Sequence, residues 1–297
     1  MRISRGPTTC AALAIAATLT QTTWAQSVYE GFSLTFPLYN TGSGLSGAWQ
    51  VGGFNAFAAG YTAGERSLAF NGLQTSPGRV SAGAFNAING AIRTLTTTLG
   101  ANGTTRYVSV LLRPQGTLNA GIFDGFFGIT VSGSLGNELF IGKPGAGAEE
   151  EYVIENRGGA GQMPSGVPVV VGATALLVVK MEFQAGNDLF TLYTNPMPGA
   201  PEPASGVVKS DLDLGTVPRI GIYSTGAFDV DEIRIGATYA SVTPAAPFAG
   251  APGAANCHGK SVSALAQTYG GLPAAASALG FSSVGALQNA IAAFCGN

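Results

Sequence analysis

The stretch ALLVVKMEFQAGNDLFTLYTN, residues 175–195, decides the fold. Leu177, Val179, Met181 and Phe183 fall on one face of an extended chain, while Lys180 and Glu182 fall on the other. That period-two alternation is the pattern of a half-buried β-strand. Gln184-Ala185-Gly186-Asn187 supplies a turn and Leu189 to Tyr193 comes back, so the segment predicts a β-hairpin.

Working outward, Ala91 to Arg113 reads as a second hairpin. Arg93, Leu95, Thr97 and Leu99 share one face of its first strand, and Asn102-Gly103 makes the turn. The Asn102-Gly103-Thr104 triplet also matches a glycosylation sequon, and the turn is the reading preferred. The returning run from Tyr107 to Leu112 is apolar on both faces, which places it centrally in a sheet. Further candidate strands are Phe32 to Phe36, Ser67 to Phe70, Arg79 to Phe85, Phe126 to Val131 and Glu138 to Ile141, with Tyr152 to Glu155, Arg219 to Tyr223 and Phe228 to Ile235 completing the set. In the last of these the apolar phase shifts between Val230 and Ile233, which implies a bulge. Short strands punctuated by Gly, Asn-Gly and Pro, with hardly any helical periodicity, predict an all-β sandwich or barrel over residues 26–243.

The two ends read differently. Residues 1–25 carry Arg2 and Arg5, then a short apolar run from Cys10 to Leu19, then Thr23-Trp24-Ala25, the order of a secretory signal peptide. Export predicts a secreted, periplasmic or cell-surface location. Pro7-Thr8-Thr9 ahead of Cys10 does not resemble a lipidation site. Removal of the leader leaves 272 residues with twelve basic and sixteen acidic side chains. That balance offers no polycationic surface, which argues against nucleic acid or anionic membrane as a partner. No mature segment is long and apolar enough to insert as a spanning helix. Residues 244–255, rich in Ala, Pro and Gly, read as a linker. Residues 256–297 read as a small helical unit with helices over Ser261 to Tyr269, Pro273 to Leu279 and Ser283 to Phe294. In an oxidising compartment Cys257 and Cys295 would form a disulfide that staples a unit near the lower size limit for folding alone.

Three stretches resemble secreted bacterial proteins with a laminin G-like, concanavalin A-like jelly roll. They are Gly125-Phe126-Phe127-Gly128-Ile129 leading to Glu138-Leu139-Phe140-Ile141-Gly142-Lys143-Pro144; Leu176 to Lys180 through Gly186-Asn187-Asp188 to Tyr193-Thr194-Asn195-Pro196; and Asp231-Glu232-Ile233-Arg234-Ile235-Gly236. The resemblance spans residues 30 to 244. It implies two packed antiparallel sheets, an extracytoplasmic location and a role in binding glycans or proteins. Members that bind calcium use acidic and Asn side chains in loops. Here Asp124, Asn187 and Asp188 are the nearest candidates, but a hard cation needs six or more oxygens and one spacing does not assemble them.

The catalytic relatives that this resemblance brings in, laminarinase-like glycoside hydrolases, place Glu, Asp and Glu at alternating positions on one strand. Asp229-Val230-Asp231-Glu232-Ile233-Arg234 is the comparable run, and Ile233 or Arg234 stands where the third carboxylate belongs. Gly-x-Ser-x-Gly does not occur, and one His, His258, beside a Cys cannot supply a triad or a zinc site. Gly42, Gly44 and Gly47 match Gly-x-Gly-x-x-Gly, but Trp49-Gln50-Val51 reads as a strand where a nucleotide motif needs a helix. The expectation is therefore a non-catalytic binding module with no cofactor. Exposed aromatics would stack on sugar rings, and Trp49, Tyr61, Phe127, Tyr193 and Tyr223 are the candidates. The segments Gly145 to Pro168 and Met197 to Gly206 are candidate binding loops. The alternative is a structural or adhesive envelope protein whose helical tail docks to a partner. A glycoside hydrolase built on Asp229 and Asp231 ranks third.

Overall fold

A computed structural model describes residues 26–33, 41–51, 61–250 and 253–296. The leader, most of Phe32 to Phe36 and the middle of the Ala/Pro segment lie outside the described residues. Two antiparallel sheets pack face to face, which is the sandwich expected from period-two burial.

The front sheet runs in the order β10 (Ala160–Pro168), β9 (Glu151–Asn156), β8 (Glu138–Lys143), β7 (Phe127–Ser132), β14 (Val217–Ser224), β5 (Asn89–Leu99), β2 (Leu45–Val51). The back sheet runs β13 (Val207–Leu212), β12 (Asp188–Thr194), β11 (Ala175–Glu182), β6 (Thr105–Pro114), β15 (Phe228–Gly236), β4 (Arg79–Ala82), β3 (Tyr61–Gly64). The remaining strand, β1 (Gln26–Glu30), lies beside the second half of β15, on the side where β4 pairs with its first half.

The hairpin of residues 175–195 forms as read. Leu177 pairs with Thr194 and Glu182 with Leu189, and Leu177, Val179, Met181 and Phe183 all enter the core between the sheets. The central placement of Tyr107 to Leu112 also holds, because β6 lies between β11 and β15. Its outward side chains Tyr107 and Leu111 join Leu176, Val178 and Tyr193 under a cover. Leu68, Leu73 and a short helix α1 (Tyr239–Val242) supply that cover.

The bulge is present. Asp231 pairs with Leu111 but Arg234 with Ser109, so β15 carries one extra residue, and Glu232 takes a φ of 54° to absorb it. Phe228 and Val230 before it and Ile233 and Ile235 after it all reach the core.

The hairpin expected over Ala91 to Arg113 does not form. Its two strands belong to different sheets, β5 to the front and β6 to the back. Alternation alone cannot separate two strands that pair edge to edge from two that face each other across a core. Here Leu95 and Leu99 meet Val108, Val110 and Leu112 in one cluster, and Gly103 N–H donates to the Phe183 carbonyl at 2.8 Å instead of closing a ladder. Gly100 adopts a φ of 91° at the crossing, where a Cβ would lie 2.6 Å from the Gly215 carbonyl oxygen. Ser67 to Phe70 is likewise irregular chain and not a strand, although Leu68 is buried.

The Ala/Pro segment starts as ordered structure. The Pro244 carbonyl accepts from Gln74 N–H at 2.9 Å, and Ala246 N–H donates to Gly72 at 2.7 Å. Beyond it come α2 (Cys257–Tyr269), α3 (Leu272–Ala278) and α4 (Val284–Cys295). Ser283 caps α4 by accepting from Ala286 N–H, and Pro273 sits in the first turn of α3. Cys257 and Cys295 form the disulfide, and Leu265, Leu287 and Ile291 are buried beside it.

Candidate ligand-binding site

Core packing fixes which side chains the front sheet turns outward. Ile129, Val131, Leu139, Ile141, Ile154, Ile220 and Ile222 point into the sandwich. Their neighbours Thr130, Phe140, Glu155, Gly221 and Tyr223 must then point out. Register places Phe140 directly opposite Glu155, and Tyr223 opposite both Gly128 and Gly90. The aromatic rings therefore spread over backbone that carries no side chain. Phe126, just before β7, lies 4.8 Å from the Tyr223 ring and 6.2 Å from Phe140, between centroids.

These residues line a cavity of about 320 Å³ together with Phe123, Ile88, Glu155, Arg157 and the glycines of the β9–β10 turn. Phe123 stands at the rim and is 62% exposed. Its turn is held from below by Lys143, whose buried Nζ donates to the Asp124 carbonyl at 2.7 Å and to Pro144 at 3.1 Å. Burial pulls the Lys143 ammonium below the ordinary lysine range, with Glu149, Asp124 and Glu150 opposing that shift. Thr225 Oγ1 bonds the Ile122 carbonyl at 2.6 Å and completes the support.

The polar groups of the cavity are Arg157, Glu155 and the Tyr223 hydroxyl. Arg157 forms an ion pair with Glu138, donates to Tyr223 Oη at 3.3 Å and places its guanidinium carbon 5.3 Å from the Tyr223 ring centroid. Glu155 is buried and accepts from Gln162 Nε2 at 2.7 Å. Desolvation raises its pKa above the ordinary carboxylate value, while the Gln162 bond and the Lys209 charge work the other way.

Of the aromatics proposed from sequence, Tyr223 lines this cavity and the other four are elsewhere. Trp49 is inside the sandwich, 5.8 Å from the Phe32 ring, with Nε1 donating to Glu30. Phe127 is stacked on Phe228 in the core. Neither can show a face to a sugar, and both are corrected to core residues. Tyr61 packs against the core and bonds Ser224 at 3.1 Å. Tyr193 is buried on the outer side of the back sheet, and with Tyr107 it donates to Glu202 at 2.6 and 2.7 Å. Those two bonds pin the 197–206 segment down.

The segment from Gly145 to Pro168 contains β9 and β10 and is not a single loop, yet it supplies Gly145, Ala146, Glu155, Arg157, Gly158 and Gly159 to the cavity. Phe126, Phe140 and Glu155 were legible as strand residues. Their outward side emerges only from the register between strands far apart in sequence.

The carboxylates of β15 lie on the back sheet, away from this cavity. Asp229 accepts from Ser81, Arg113 and Gln115. Asp231 accepts from Ser67 Oγ and Leu68 N–H at 2.7 and 2.9 Å, and Glu232 pairs with Arg234. All three are buried. The candidate calcium ligands do not meet. Asp188 spends its two oxygens on Gln184 and Leu214 N–H groups, at the end of the sandwich where Leu214 touches Gly133, just past the close of β7. Asp124 precedes the opposite end of β7.

No family model and no curated protein matches the chain. Among solved structures it is similar to an endo-1,3-beta-glucanase from Streptomyces sioyaensis, with 10% identity and a TM-score of 0.44 over 72% of this chain and 96% of that one. It is similar also to the globular domain of T. cruzi calreticulin, at 11% identity and a TM-score of 0.38 over 77% and 94% of the two chains. Lectin UEA-II complexed with galactose is similar at 9% identity and a TM-score of 0.36 over 59% and 97%. All three likenesses lie below a TM-score of 0.5.

Proposed function

We propose that the protein is a non-catalytic carbohydrate-binding module whose ligand enters the cavity on the outer face of the front sheet. One observation carries the reading: Phe123, Phe126, Phe140 and Tyr223 converge with Arg157 and Glu155 around a single cavity. Sugar rings present C–H faces that pack on aromatic surface and hydroxyls that need fixed donors and acceptors. The exposed Phe123 ring offers the first, and the Arg157 guanidinium, the Glu155 carboxyl and the Tyr223 hydroxyl offer the second. The non-catalytic part of the reading rests on the carboxylate count, since among the described residues Glu155 alone lines the cavity and a hydrolase needs two in defined roles. Glu138 is tied to Arg157 and Ser132, and Glu155 to Gln162.

The test is a glycan array probed with the whole chain, followed by titration of the best binder with Phe123→Ala and Tyr223→Ala. Each substitution should weaken binding at least about tenfold, which corresponds to 1.4 kcal/mol. No binding to any glycan, or binding untouched by both substitutions, rejects the site. Release of reducing ends from the bound glycan rejects the non-catalytic reading.

A further inference from the structure

The cavity is shut on one side and open on the other. The shut side starts at Phe123 and continues through the β8–β9 loop, where a Cβ on Gly145 would lie 2.4 Å from the Phe123 carbonyl oxygen. Gln162 then fastens that loop over the sheet. Its Oε1 accepts from Ala148 N–H at 2.8 Å, and its Nε2 donates to the Ala146 carbonyl at 3.0 Å and to Glu155 at 2.7 Å. Phe123 packed on Gly145, and Ala146 and Glu155 joined through Gln162 by hydrogen bonds, thus form the wall on this side.

In the other direction the surface stays low. Gly90 and Gly221 put no side chain on β5 and β14, while Thr94, Arg219 and Gln50 stand exposed along β5, β14 and β2. Ile92, opposite both Gly221 and Gln50, is half-buried on the same outer face, and register carries this strip on from Tyr223 at the cavity. A volume of about 320 Å³ is near the lower end of ligand sites, which run from roughly 300 to 1,000 Å³. There is room for a ring or two, and the wall gives a longer chain no exit.

We infer that the site recognises the end of a glycan chain, the terminal residue seated in the cavity and the rest of the chain lying across β14, β5 and β2. This rests on the carbohydrate reading and adds the polarity of binding to it. An interior stretch of polysaccharide would have to pass through the wall that Gln162 holds.

The experiment uses the whole chain and an array on which linear gluco-, xylo- and galacto-oligosaccharides are each printed twice, tethered through the reducing end or through the non-reducing end. End recognition gives a signal in one orientation at least about tenfold above the other, and Gln162→Ala, which releases the wall, shrinks that ratio. In solution, calorimetric stoichiometry with the corresponding polysaccharide should be one protein per chain. Equal signals in both orientations, or several proteins per chain, overturn end recognition and leave carbohydrate binding standing. Silence on every probe overturns both.

Discussion

Lys143 reaches the Asp124 carbonyl from full burial, a 2.7 Å bond from an ammonium that forms no salt bridge to the rim turn it supports. Removing an unpaired buried charge relieves its desolvation cost, whereas the bond that shapes the turn is lost. Lys143→Met should therefore leave the thermal midpoint within a few degrees of the parent and weaken glycan binding about tenfold. Calorimetry and ligand titration on one sample separate the two effects; a large drop in midpoint with binding intact would contradict this assignment.

Glu30 and Arg93 form a buried pair, and Glu30 also receives Trp49 Nε1–H at 3.1 Å and Phe32 N–H at 2.9 Å. Removing one partner of such a pair leaves an uncompensated buried charge, so Glu30→Ala should cost about 3–5 kcal/mol. Urea unfolding measures it, and a cost under about 1 kcal/mol would mean that the pair is solvated.

Asp231 and Glu232 are adjacent, buried and raised in pKa, Asp231 by desolvation first and then by the Glu232 charge. A group that holds its proton more tightly when folded contributes stability below its unfolded pKa and loses it as pH rises through the folded value. The midpoint should therefore fall as the pH rises above the unfolded carboxylate range of about 4, and Asp231→Asn should flatten that slope. Glu202 works in the opposite sense: its own desolvation is outweighed by the bonds from Tyr193 and Tyr107 together with Lys180, and its pKa is lowered. A midpoint that climbs steadily over the same range would show that the raised carboxylates do not dominate.

The Cys257–Cys295 bridge closes 38 residues around a small core. On the chain-entropy estimate it stabilises by about 4 kcal/mol. Reduction should melt the helices of residues 257–295 while the sheets persist, so helical circular dichroism falls and the strand signal remains. Loss of both signals together would mean that the tail and the sandwich unfold as one.

Much of the sandwich was readable because burial on one face writes a period-two pattern, as in Leu177, Val179 and Met181 and in the phase shift at Glu232. The assignment of β5 and β6 to different sheets was not, since facing and pairing strands carry the same alternation. The site suffered from the same blindness. Trp49 and Phe127 are as aromatic as Tyr223, and only the third dimension decides which rings look outward. Phe140 and Glu155 become neighbours through a cross-strand register that a single sequence does not state.

The pairing of β1 with β15 joins residues 26–30 to residues 233–236, so one flank of the back sheet is completed by segments some two hundred residues apart in the chain. Loop-closure entropy across some two hundred residues must be met before that contact returns anything, which makes folding slow and late. A nascent chain remains unfinished on this flank until Gly236 is free. Unpaired strands then stay exposed for the longest time, the interval in which a chaperone has most to offer this protein.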